Sequence, residues 1–385
     1  MIRISNVRAA KRRRVLMLLS NEYRPDPRVE KEAYALADEG FHVEILCWDR
    51  AHTRLSKEFR EKIEIVRITT LDIRDKVSFL VNVPFFMIKM ILRALATEHD
   101  VVHAHDLDTL IQGIFISKIK RTLLVYDAHE HYASMVSEDV PVIISRALNS
   151  LEKILVRRID ALIVANDRIG ELIDSNLRSK PTVIMNCVEI DQGDGSLGLR
   201  SNDGVKYPDD IVIFYGGSLE PSRYLLEVAE VVMKLEGFIF KIAGSGRLAD
   251  QLRKFSEASK KIQFLGFLKR DELLQHLKKS SIALCLADPS NANNKIGTPN
   301  RLFEAMAFGI PVIASKGTFA GEIVEENRCG LVIEWSEENF LEAIEALRDI
   351  QLRQELGKNG RLAVEREYSW NIMKKRLIDL YNSLL

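Results

Sequence analysis

Gly297-Thr298-Pro299-Asn300-Arg301-Leu302-Phe303-Glu304-Ala305-Met306-Ala307-Phe308-Gly309-Ile310-Pro311-Val312-Ile313-Ala314-Ser315 reads as a turn, a helix, a stop and an apolar strand. Pro299 suits the first turn of the helix, where a missing N–H costs nothing, and Gly309 suits the stop. The free backbone N–H groups of residues 298–302 would attract a diphosphate. Glu304, a turn further on, is placed to accept hydrogen bonds from ribose hydroxyls. A helix that hands over at once to a buried strand is the repeating step of a parallel α/β sheet.

The same step recurs in both directions. Ahead of the motif, after residue 210, the apolar runs are Ile211–Leu219, Phe238–Gly244, Ile262–Gly266 and Ile282–Ala287, and Cys329–Glu334 follows it. The first half carries Arg14–Ser20, His42–Asp49, Glu64–Thr69, Val101–Asp106, Leu123–His129, Ala161–Asp167 and Thr182–Asn186, separated by amphipathic stretches such as Val29–Glu39. Between the halves, Glu189–Asp210 is rich in Gly, Asp and Ser and reads as a linker. The expectation is two doubly wound α/β domains with parallel sheets facing across a cleft, ligands lying beyond the carboxyl ends of the strands. Expected boundaries are residues 1–186, a linker at 187–210, residues 211–369, and a helix at 370–385 that returns to the first domain with Met373, Leu377, Leu380 and Tyr381 on its apolar face.

A chain of 385 residues suits two domains, and equal numbers of basic and acidic residues (55 each) argue against nucleic acid as the main partner. Cys47, Cys187, Cys285 and Cys329 are scattered, without metal-ligand spacing, as expected of buried thiols in a reducing compartment. The cytoplasm is therefore the expected location, with the inner face of the membrane left open. Two features leave it open. One is a basic tail (Arg3, Arg8, Lys11 and Arg12 to Arg14); the other is the apolar stretch Phe79–Ala96. Pro84, Lys89 and Arg93 interrupt that stretch and speak for a helix packed on a sheet rather than one spanning a bilayer. Its exposed face would then be the place for peripheral membrane contact.

The run Glu304-Ala305-Met306-Ala307 followed by Gly309 and Pro311-Val312-Ile313 resembles the nucleotide-binding signature of glycosyltransferase family 4, the glycogen-synthase-like retaining enzymes of GT-B fold. Asp26-Pro27-Arg28-Val29-Glu30-Lys31-Glu32-Ala33, Asp100–Asp106, Asn186–Glu189, Gly244-Ser245-Gly246 and Tyr368-Ser369-Trp370 are similar to other recurrent segments of that family. The resemblance implies donor binding by Gly217, Ser218 and Arg223 after the first strand of the second domain, by Gly244, and by Lys295, Gly297, Thr298, Pro299, Asn300, Arg301 and Glu304. It also implies a histidine at the reaction centre, matching His129 in Tyr126-Asp127-Ala128-His129-Glu130-His131, with Asp106 and Asp127 beside it. His103, on an apolar strand, reads as a core histidine.

Two positions depart from the family pattern. Ile296 stands where the first Glu of the Ex7E signature would fall, and Ser218 stands where the first of two diphosphate-clamping cations is usual. The resemblance implies sugar transfer with retention from a nucleotide-diphosphate sugar, of UDP or GDP type, to a glycan or lipid-linked glycan. No cofactor and no metal are expected. Asp106-Leu107-Asp108 is a D-x-D pair, but it lies in the wrong half of the chain for a donor-bound metal. The alternatives are a catalytically inactive GT-B subunit that binds nucleotide or glycan, and a nucleotide-sugar epimerase.

Overall fold

The computed structural model describes residues 13–23, 26–73, 75–137, 140–173, 180–189 and 210–385. Most of the basic tail and most of the expected linker lie outside them. The chain divides into two compact units, one running to Ile184 and taking in Lys374–Leu385, the other Met185–Met373.

The sheet of the first unit is built from β1 (Arg14–Leu18), β2 (His42–Trp48), β3 (Lys57–Arg60), β4 (Ile63–Ile68), β5 (Val101–His105), β6 (Leu123–Ala128), β7 (Ala161–Val164) and β8 (Thr182–Val183). Their order is β3-β4-β2-β1-β5-β6-β7-β8. All neighbours pair parallel except β3 and β4. Sequence order reverses between β1 and β5, the switch point at which a crevice opens beyond the strands. The strand at the far edge, β3, was not anticipated. Lys57-Glu58-Phe59-Arg60 is charged and exposed, with none of the apolar character by which the other strands were read.

From β4 onward each crossover moves the same way along the sheet. Right-handed connection therefore puts α2 (Lys76–Leu95), α3 (Leu107–Lys120) and the helix Val142–Leu155 on one face. On the other face lies α1 (Pro27–Asp38). Asp26 caps it by accepting from the backbone N–H groups of Arg28 and Val29, with Pro27 in its first turn. The C-terminal helix Trp370–Leu384 joins that face: Tyr381 is fully buried, edge-on to Phe41, and Lys374 reaches Asp38 at 3.3 Å.

The second unit has β9 (Ile211–Ser218), β10 (Phe238–Ser245), β11 (Ile262–Gly266), β12 (Ile282–Cys285), β13 (Val312–Ser315) and β14 (Gly330–Ile333), all parallel, in the order β11-β10-β9-β12-β13-β14. The switch point is between β9 and β12. Phe238, Phe240, Phe340 and the aliphatic strand residues form its core.

Candidate functional site

In the first unit the strand ends around the switch point gather titratable side chains. Asp127, near the end of β6, is 0% exposed and bound by the Arg28 fork: Nε to Oδ2 at 3.0 Å and Nη2 to Oδ1 at 2.6 Å. The remaining guanidinium nitrogen donates to the Ile184 carbonyl at 2.6 Å. His129 Nε2 lies 3.1 Å from Asp127 Oδ2 and 3.0 Å from His105 Nδ1, and His129 Nδ1 lies 3.4 Å from Asp106 Oδ2. Asp106 has φ 61°, ψ 164°, a conformation usually left to glycine. It is held there by its N–H on the Asp127 carbonyl and by its Oδ1 accepting from the His129 N–H.

The electrostatics follow from that geometry. Burial works against charge on His129, but Asp106 and Asp127 outweigh it and push its pKa up to about 9. Burial also opposes ionisation of Asp127, yet Arg28 and His129 hold it well below the usual carboxylate range. Burial pushes Asp106 up to about 6. At neutral pH His129 is therefore an imidazolium between two carboxylates, a double donor with no lone pair for general-base work.

Beneath it, burial lowers the pKa of both His105 and His103, leaving these stacked rings neutral, and His103 Nδ1 meets the Tyr381 hydroxyl at 2.9 Å. Burial and the nearby Asp127 charge raise Glu32 to about 8. Among the described residues, Glu32, His103, His105 and Asp127 bring four ligand-type atoms within 4.8 Å of one another. The Arg28 guanidinium already occupies the cationic place beside both carboxylates, so the group reads as the support of His129. Of the expected residues, His129 (18% exposed side chain) and Asp106 reach the surface. Asp127 does not; it lies buried behind His129, with Oδ2 3.1 Å from the Nε2 of that ring. Arg28 and Glu32 were missed as functional residues, although both fall on the apolar face of α1 with Val29, Ala33 and Leu36, where charge is costly unless paired.

In the second unit the ends of β9 and β10 run so close that a Cβ on Gly244 (φ 144°) would sit 1.8 Å from the Gly217 carbonyl oxygen. A Cβ on Gly217 would lie 3.0 Å from Arg301 Nη1. The Arg301 guanidinium stacks over the Tyr215 ring at 4.6 Å, and the Tyr215 hydroxyl is tied to the Ser218 carbonyl at 2.6 Å. Burial, together with the positive charge of Arg301, lowers the pKa of Arg223. Among the described residues, Nε of Arg223 and both Nε and Nη2 of Arg301 are buried without a hydrogen-bond acceptor. Unclaimed guanidinium N–H groups side by side call for an anion with several oxygens.

Arg301 and Glu304 share the helix Asn300–Ala307, capped by Pro299, which therefore stands one place ahead of its expected first-turn position. Glu304 is almost fully buried, with Oε1 3.1 Å from Arg270 Nη2. Gly297, Thr298 and Asn300 are half-buried ahead of or at the start of that helix, Lys295 and Ser218 are exposed, and Ile296 is buried at the end of the helix Ala292–Ile296. Tyr215 and Arg270 escaped sequence reading, since neither lies in the motif they support.

Two α/β units, each with its polar groups at the carboxyl ends of parallel strands, define a protein of the GT-B class. The family model "Glycosyl transferases group 1" matches residues 200–363, and "Glycosyltransferase Family 4" matches residues 28–192. The chain belongs to glycosyltransferase family 4. It is 35% identical over 146 residues to a GDP-mannose-dependent monoacylated alpha-(1-6)-phosphatidylinositol monomannoside mannosyltransferase of Corynebacterium glutamicum, a match covering 37% of this chain and 38% of that protein. The chain is thus matched to little more than a third of that relative's length. Sucrose-phosphate synthase from Thermosynechococcus elongatus shares the fold at TM-score 0.78 and 16% identity, covering 97% of this chain and 99% of that one. Anabaena HepE in complex with UDP does so at TM-score 0.70 and 16% identity, covering 96% and 100%.

Proposed function

We propose that the chain transfers a sugar from a nucleotide-diphosphate sugar to a glycan or lipid-linked glycan, with retention of configuration and without a metal ion. The observation that carries this reading is the arginine pair Arg223 and Arg301, with Nε of both and Nη2 of Arg301 buried and lacking acceptors among the described residues, beside the glycine-lined ends of β9 and β10. A diphosphate supplies both the charge and the oxygens they need. Breaking the anomeric C–O bond leaves negative charge on the β-phosphate, which two fixed guanidiniums stabilise. Arg301 thereby fills the place of the cation that the family pattern puts at position 218.

Glu304, oriented by Arg270, takes the ribose, and the strip Lys295, Gly297, Thr298, Pro299 and Asn300 orients the diphosphate and the sugar. His129, cationic and with both N–H groups turned to Asp106 and Asp127, acts on the sugar through its charge and leaves the acceptor's proton to the departing phosphate. UDP and GDP are the favoured donor nucleotides because HepE is solved with UDP and the corynebacterial relative is GDP-mannose-dependent. A cytoplasmic location agrees with four buried free cysteines.

A second reading, a binding subunit without catalysis, is favoured by one observation, the buried Ile296 at the site of the family's first carboxylate. A thermal-shift screen with UDP, GDP and ADP, followed by turnover of the matching sugar donors, separates the readings. Transfer of a sugar to an acceptor with the donor's anomeric configuration supports the first. Nucleotide binding without turnover supports the second, and conversion of the donor alone to its epimer would contradict both.

A further inference from the structure

The face of the first unit made by α2, α3 and the helix Val142–Leu155 carries an unusual surface. On α2, Val81, Phe85, Ile88 and Leu92 are each at least half exposed; they recur at helical spacing on the side away from Phe86, Met90 and Ala94, which are buried. Neighbouring α3 adds Phe115 and Ile119, and the next helix adds Ile143 and Ile154, all likewise more than half exposed. Helices laid side by side on one face of a sheet make a broad layer rather than a groove, so the apolar residues form a surface and not a slot for a peptide.

Cations outnumber acids on these three helices. The α2 sequence contains Lys89 and Arg93 and no acid; Arg93 turns inward to the buried Glu44 at 3.5 Å, so Lys89 is this helix's contribution. In α3, Lys118 and Lys120 end the helix, Arg121 follows, and the one acid, Asp108, is in the first turn, where it accepts from Ser20. On Val142–Leu155, Arg146 and Lys153 stand with a single acid, Glu152, which is buried on the Tyr126 hydroxyl. A symmetric dimer through this face would set cation against cation. A bilayer with anionic headgroups satisfies both halves of the pattern at once.

The span Val77–Leu95 is long and apolar enough to cross a membrane. Its Phe86, Met90 and Ala94 are packed into the unit, however, and crossing would strip them from it. Lying on the surface keeps them in place.

We propose that this face docks on an anionic lipid surface, the apolar residues of α2, α3 and Val142–Leu155 entering the headgroup boundary and the surrounding lysines and arginines pairing with lipid phosphates. The inference rests on this surface alone and stands apart from the donor chemistry of the second unit.

The test is sedimentation of the full chain with vesicles of phosphatidylcholine alone and of phosphatidylcholine with phosphatidylglycerol, at low and high salt. The expected result is partition into the anionic vesicles only, weakened by salt. Lys118→Ala with Arg121→Ala should lower that partition about 30-fold, and Ile88→Glu with Leu92→Glu should abolish it. Both pairs of residues are on the surface, so melting temperature and nucleotide binding should stay at wild-type values. Absence of wild-type sedimentation, or equal sedimentation with neutral vesicles, would overturn the proposal. So would a dimer in light scattering that Ile88→Glu with Leu92→Glu converts to monomer.

Discussion

His129 illustrates how far a residue's chemistry depends on neighbours distant in sequence. Its place at a strand end was legible, because four titratable residues in Asp127–His131 are more than a core strand needs. Its charge was not, because that depends on Asp106, just past the end of another strand, and on Asp127, which is itself ionised by Arg28 from a third element. A histidine with pKa raised to about 9 contributes stability in full below its ordinary value and loses that contribution as pH climbs through the raised one. The melting-temperature gap between wild type and His129→Gln should therefore be widest near about pH 6 and close toward about pH 10. Kinetically the variant should lose turnover while keeping nucleotide affinity; an equal gap at both pH values would show the ring to be neutral. At Glu304 the buried carboxylate faces Arg270, which fixes one oxygen. Glu304→Gln should weaken nucleotide binding by about 1–3 kcal/mol in calorimetry, and unchanged binding in a folded variant would remove the ribose assignment.

Elements were read well where burial wrote the sequence. The β-branched runs at β1, β2, β5, β6, β7, β9 and β13 have their apolar residues inside a sheet covered on both faces, and each was placed within a few residues. The edge strand β3 has no such burial and pairs through its backbone alone, so its side chains carry no signal. The approach of β9 and β10 was only half legible: Gly217 and Gly244 were singled out for a ligand, and the structure adds that the strands themselves need Gly244. Gly244→Ala should cost about 3 kcal/mol or more, because the obstacle is the Gly217 backbone rather than a side chain that can turn away. Urea unfolding of the full chain checks this. A loss below about 1 kcal/mol would mean that the strand ends part easily.

The molecule as a whole divides its chemistry between its units. The first holds a buried polar network, neutral in sum, under one cationic histidine; the second holds two arginines with three buried nitrogens that no described residue accepts from. The alternation of strands and helices announced two parallel sheets, and the break after Glu189 announced two domains. Neither could announce that Arg301 lies against Gly217, since that contact joins the end of β9 to a helix more than 80 residues later. The central claim is that this arginine, with Arg223, holds a diphosphate. It is tested most directly by calorimetric titration of UDP, GDP and the corresponding nucleosides into the full chain and into Arg301→Gln. One diphosphate should bind tightly, the variant should lose about 1.5–3 kcal/mol toward it, and binding of the nucleoside should hardly change. Equal affinity of wild type and a folded Arg301→Gln for the diphosphate would contradict it.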